Sequence, residues 1–91
     1  MRFEWNENKR EINIQKHGFD FEGIEDLFEN QTWSFIDERF DYSETRFVTT
    51  GMLNGHVVVV THTQGSNVIR IISVRKATRN EQIQYFKEIA D

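Results

Sequence analysis

The 91-residue chain contains neither cysteine nor proline. Without cysteine there is no disulfide framework, no thiol nucleophile and no thiolate metal ligand. Without proline, and with no Gly/Ser-rich stretch resembling a linker, the chain reads as continuous, and residues 1–91 are expected to form one domain with a single modest core. No apolar run approaches the length of a membrane span, and the N-terminus lacks the pattern of a signal peptide, so the expected residence is the cytoplasm. Carboxylates are also missing from one long segment. Between Thr45 and Asn80 there is none, and the ionisable residues there are Arg46, Arg70, Arg75, Lys76, Arg79, His56 and His62.

The carboxylates concentrate instead between Asp20 and Glu44, which hold nine of them against a single Arg39. Overall, fifteen acidic and eleven basic residues give a net charge of −4. Such a balance ordinarily argues against a polyanionic partner, but a ligand feels the local field more than distant, screened charges. A basic, carboxylate-free β-region can therefore hold a phosphate backbone even on an acidic protein.

The apolar fraction of 37%, with eight Phe and two Trp, is enough for a packed core. Asn6 to Lys16 reads as a helix capped by Asn6, with Ile12 and Ile14 as its apolar surface and Gly18 at the left-handed exit. Asp20 is expected to cap a second helix, in which Phe21, Ile24, Leu27 and Phe28 share one face and Phe19 staples to Ile24. Trp33 to Asp37 is a candidate edge strand. Asn54-Gly55 is a strong hairpin signal between Arg46–Leu53 and His56–Thr63, and a turn at Gln64–Asn67 leads to a third strand, Val68–Arg75. Thr78-Arg79-Asn80-Glu81 has the capping-box pattern of a last helix with Ile83, Phe86 and Ile89 inward. The fold class is α+β: two N-terminal helices, an antiparallel β-meander and a C-terminal helix.

A two-residue Asn54-Gly55 loop pairs Leu53 with His56 and Phe47 with His62. If the next loop has an even number of residues, Thr61 faces Arg70 and His56 faces Arg75. Arg46, Arg70, Thr61, Thr63 and Val74 then share one face, and His62, Ile71 and Arg75 the other. Two guanidiniums with no carboxylate in their own segment suit bidentate phosphate binding. The plainer reading pairs these arginines with acids of the second helix or of the Asp37–Glu44 loop. Similarly, His62 among apolar neighbours reads as a core histidine, and His17 as a complement to a helix dipole. No histidine spacing suits a metal, and no cofactor is expected.

Phe3-Glu4-Trp5, Lys9, Asn13 and Lys16-His17-Gly18-Phe19-Asp20-Phe21 resemble the opening of the BrnT toxin family. The resemblance continues through Phe28, Asp37-Glu38-Arg39, Tyr42, Glu44, Arg46 and Gly51. It ends on Arg70-Ile71-Ile72-Ser73-Val74-Arg75-Lys76-Ala77-Thr78-Arg79, Glu81 and Tyr85, and so covers nearly the whole chain. It implies a RelE-like fold and a ribonuclease toxin of a type II toxin–antitoxin pair. The implied partners are an RNA substrate and a BrnA-type ribbon-helix-helix antitoxin, with operator DNA reached only through that antitoxin. Metal-independent RNA cleavage needs cations for the phosphorane charge and an acid and base for the two oxygens. Under this resemblance Arg46, Arg70 and Arg75 are the phosphate-binding candidates, with His62 or His17 as acid or base. Glu81 and Tyr85 are held in reserve for the acid–base work, and Lys16, Lys76 and Arg79 contact RNA. The acidic segment either steers RNA to the basic sheet or receives a basic antitoxin segment. The alternative is a catalytically silent member that binds the antitoxin and co-represses the operon.

Overall fold

The computed structural model describes residues 1–39 and 43–90. Among these it is a mixed α+β structure of eight elements: β1 (Arg2–Glu4), α1 (Glu7–His17), α2 (Glu25–Phe28), β2 (Trp33–Ile36), β3 (Phe47–Leu53), β4 (His56–Gln64), β5 (Val68–Lys76) and α3 (Arg79–Ile89). The five strands form one sheet in the order β1-β5-β4-β3-β2. All neighbours are antiparallel except β1, which joins β5 in parallel. A strand of three residues is too short to show alternation, so β1 carries no signal in the sequence.

The helix caps form as their residues dictate. Asn6 accepts a hydrogen bond from the Lys9 amide, and Gly18 closes α1 with φ of 78°. Thr78 and Glu81 complete the capping box of α3. The second helix departs from expectation, because Gly23 takes a φ of 89° and interrupts it. Only Glu25–Phe28 is helical, and Asp20 does not cap it. The Asp20 carboxylate instead accepts from the Glu22 amide and pairs with Arg10 at 2.7 and 3.0 Å. Phe21, Ile24 and Leu27 are nevertheless fully buried, with Phe28 packed beside them.

Two helix faces are also corrected. In α1, Ile12 and Ile14 are exposed and the buried residue is Asn13. In α3, Ile83 and Phe86 are exposed, and Tyr85 points inward with its hydroxyl donating to the Gln31 carbonyl at 2.8 Å. Both helices lie at an edge or on one end of the sheet, so a narrow contact replaces the broad apolar stripe of a core helix.

The sheet separates two apolar clusters. Phe21, Ile24 and Leu27 pack on one face against Leu53, Val58, Val60, Ile69, Ile71 and Val74. On the other, α3 brings Tyr85 and Ala77 against Val48, Val57 and Val59. Gly51 is required beneath α2, since a Cβ there would lie 2.9 Å from Leu27 Cγ.

Candidate active site

The hairpin at Asn54-Gly55 has the expected register, with Leu53 opposite His56 and Phe47 opposite His62. The next register differs in two ways. The β4–β5 pairing closes nearer the turn, so Arg70 faces Thr63 where Thr61 was expected. A bulge then intervenes: His62 pairs with Ile71 but Thr61 pairs with Ser73, leaving Ile72 as the extra residue. An inserted residue exchanges the faces of everything beyond it. Val74 therefore joins the α2 side, and Arg75 crosses to the face that carries Arg70.

That face can be read row by row. The Asp37 amide donates to the Arg46 carbonyl at 2.8 Å, prolonging the β2–β3 ladder by one step. Arg46 in turn lies one step beyond the Phe47–His62 pair, which brings it opposite Thr63. With Arg70 beside Thr63 and Glu4 beside Arg70, one row crosses the sheet: Asp37, Arg46, Thr63, Arg70, Glu4. Strands lie about 4.8 Å apart, so the backbones of Arg46 and Arg70 are separated by about 10 Å, within reach of one phosphodiester for two arginine forks. Arg75 lies about 15 Å further along β5. The arginines form a track, with α3 covering one end of the face; at the other end Arg70 is nearly half exposed, while Arg46 is half-buried with its Nε out of solvent.

Arg70 and Arg75 each carry a carboxylate neighbour. Arg70 bonds Glu44, and both side chains remain nearly half exposed. Arg75 holds Glu81 bidentately at 2.8 and 2.9 Å. This pairing, together with the hydrogen bond from the Thr78 amide and against partial burial, lowers the Glu81 carboxyl to about 2. Glu81 raises the Arg75 guanidinium, which desolvation and the positive charge of Arg39 oppose. Arg39 itself grips Asp37 at 2.9 and 3.0 Å, and the Asp37 side chain is almost wholly buried. The ion pair with Glu44 realises the plainer reading of Arg70, whereas Glu81, the partner of Arg75, lies in neither segment that reading named.

The other sequence candidates lie elsewhere. His62 is buried on the opposite face, stacked on Phe47 and edge-on to Phe28. Its Nδ1 lies 3.2 Å from the Thr63 carbonyl, which can only accept. Nδ1 is therefore protonated, and Nε2 accepts from the Thr49 hydroxyl at 2.6 Å, which accepts from Ser34 at 2.6 Å. This chain floors a cavity of about 500 Å³ with Phe3, Phe28, Glu25 and Glu29 in its walls. Lys76, opposite Val58, also takes that side. His17 and Lys16 line a shallow hollow against Ile72 and Ser73 at the β5 edge. Tyr85 belongs to the core, and burial raises its phenol. Arg79 opens α3 and is exposed.

Burial lowers the His62 pKa from its ordinary 6.5. As pH falls below about 6.5 the unfolded chain takes up a proton that the native His62 refuses, so stability is complete above that pH and declines below it. The melting temperature should fall on acidification from pH 6.5 towards the lower native value, and His62→Gln should flatten that part of the curve. An unchanged slope in the variant would assign it to other groups.

Sequence reasoning placed Thr63 on the arginine face and offered the Asp37–Glu44 loop as a source of acids for it, but missed Glu4 as a member of the row and Asp37 as the residue opposite Arg46. Extending the edge strand's register to Asp37 opposite Arg46 was the available signal. A family model described as the ribonuclease toxin BrnT of type II toxin–antitoxin systems matches residues 5–81. The chain belongs to the BrnT family. The match runs from just after β1 to the start of α3, and so includes Arg46, Arg70 and Arg75. A BrnT chain is by family a type II ribonuclease toxin with an antitoxin partner. No curated protein matched the chain. No helix among the described residues is long and apolar enough to cross a membrane.

Proposed function

We propose that this BrnT chain is a metal-independent endoribonuclease whose substrate phosphate is held on the Arg46–Thr63–Arg70 row, with Arg75 further along the track. The observation that supports it is the bulge at Ile72, which brings Arg75 onto the face of Arg70 and Arg46. Bidentate guanidiniums stabilise the charge that gathers on phosphorus as the 2′-oxygen attacks. Glu44 and Glu81 are the carboxylates bound to track arginines, Arg70 and Arg75. A carboxylate held at about 2 is a weak base, so most of the acceleration falls to the arginine charges. His62 and His17 lie away from this row and are not given a role in it.

The order of a short first strand, two helices, a meander and a C-terminal helix supports a RelE-like reading of the fold. The partner is a BrnA-type ribbon-helix-helix antitoxin, through which the pair reaches operator DNA and represses its own operon. Glu25, Asp26 and Glu29, which form no ion pair among the described residues, supply an acidic surface for a basic segment of that antitoxin.

A second reading, a silent co-repressor, is favoured by the pairing of Arg70 with Glu44 and Arg75 with Glu81, which occupies two of the guanidiniums. Purified protein incubated with RNA in excess EDTA separates the two. Fragmentation that persists in EDTA and stops on adding the antitoxin supports the ribonuclease. Intact RNA, with folded protein that still binds the antitoxin, supports the co-repressor.

A further inference from the structure

Between β2 and the first turns of α3 lies a cavity of about 260 Å³. Trp33 and Phe35 form its aromatic side, their rings 5.3 Å apart and tilted by 51°. Asn80, Glu81 and Gln84 of α3 form its polar side. The Asn80 amide makes no side-chain hydrogen bond among the described residues, so its donor and acceptor are both available. Gln84 donates from Nε2 to Glu88 at 2.7 Å, which leaves its carbonyl oxygen to accept. Glu81 is engaged by Arg75, Thr78 and its own cap. The cavity thus offers a π-surface and amide groups of both polarities, with its single charge already compensated.

Its position relative to the arginine track selects the ligand. Phe35 and Val48 pair directly, and the next outward row on that face is Asp37 and Arg46. Two residues along a strand are about 7 Å, a step comparable to that from a phosphate to its base. The opposite end of the cavity touches Arg75 through Glu81. Unpaired bases are recognised by stacking on aromatic side chains and by hydrogen bonds to their edges, which these groups supply. We infer that this cavity is a nucleobase subsite, holding the base of the nucleotide next to the phosphate on the Arg46–Arg70 row, and that Asn80 and Gln84 select that base. The inference rests on the ribonuclease reading and adds a sequence preference to it.

The experiment maps cleavage positions in an RNA pool of random sequence and measures kcat/KM on the most favoured site. The unaltered chain should show a base preference at one position flanking the cut. Asn80→Ala should flatten that preference. Phe35→Ala should lower kcat/KM about tenfold, and Phe35→Leu, which keeps apolar bulk without a π-face, should fall similarly while melting like the parent. A preference untouched by Asn80→Ala and Gln84→Ala, with Phe35→Ala at full rate and Arg70→Ala inactive, overturns the subsite and leaves the ribonuclease standing. If the unaltered chain cuts no RNA, the ribonuclease reading fails and binding decides the subsite. A short RNA that quenches Trp33 fluorescence (the signal absent in Trp33→Phe) where an abasic oligonucleotide of equal length does not supports it; equal responses overturn it.

Discussion

Arg70→Ala should lower RNA cleavage by about 10²–10³-fold, the usual loss for one preorganised donor aimed at developing transition-state charge, and should abolish growth arrest when the chain is produced without its antitoxin. Arg46→Ala should act similarly, since the two residues flank Thr63 in one row. Arg70→Lys keeps the charge but loses the planar fork, and should recover only part of the rate. Each alanine should also reduce the dependence of RNA binding on log salt by about 0.7, the value for one phosphate contact on a single strand. Folding is a small concern at Arg70, whose ion pair with Glu44 is solvent-exposed and contributes little to stability. Glu44→Gln provides the opposite sign. It removes the carboxylate that competes with phosphate for Arg70, so RNA affinity should rise while the rate reports whether Glu44 also handles a proton. Retention of full cleavage by both Arg46→Ala and Arg70→Ala would remove the row from the mechanism.

This prediction rests on a feature that alternation alone could not supply. The hairpin register was legible because Asn54-Gly55 admits essentially one tight turn, and with it the placement of Phe47 opposite His62. That Arg46 and Arg70 share a face was legible only on condition of an even loop, a condition the Gln64–Ile69 pair meets. Arg75 was assigned to the wrong face, since Ile72 is indistinguishable by type from its neighbours Ile71 and Val74 and nothing in it announces an extra residue. The bulge is set by tertiary fit: Ile71 and Val74 both reach the core beneath α2, three residues apart, which a regular strand cannot do. His62 illustrates another limit. Its apolar neighbours did indicate a core histidine, but the directed chain from Ser34 through Thr49 depends on a β2–β3–β4 register that only the folded sheet fixes. In α3, the capping box was legible from four residues, whereas the inward residue was not, because Ile83, Tyr85, Phe86 and Ile89 offer more apolar surface than the helix buries.

Asn13→Ala should be the most damaging single change away from the arginine track, lowering stability by about 2–4 kcal/mol. β1 pairs with β5 only along Val68–Arg70, so among the described residues the outer edge of β5 beyond that point has no strand partner. Asn13 takes its place at Val74. Its Nδ2 donates to the Val74 carbonyl at 2.8 Å and its Oδ1 accepts from the Val74 amide at 3.1 Å, as the backbone of a neighbouring strand would. Nδ2 also donates to the Phe19 carbonyl at 2.9 Å, tying the chain after α1 to the same point. Alanine leaves the buried amide and carbonyl of Val74 without partners, each costing about 1–3 kcal/mol when water cannot reach it. Some relief comes from water entering beside α1, which keeps the total below the sum of the separate penalties. For a domain of this size the loss corresponds to a fall in melting temperature of roughly 10–25 °C. Asn13→Asp discriminates the cause: it retains an acceptor for the Val74 amide but cannot donate to either carbonyl, and should be destabilised at neutral pH and partly restored when acid protonates it. The consequence reaches the site, because the bulge at Ile72 lies between Val74 and Arg70 on the same strand. Loosening the β5 edge frees the bulge to slip, which returns Arg75 to the far face. At a temperature where Asn13→Ala is still folded, cleavage should fall further than its folded fraction accounts for. Activity that tracks the folded fraction alone would show that the bulge is held by the core and not by Asn13.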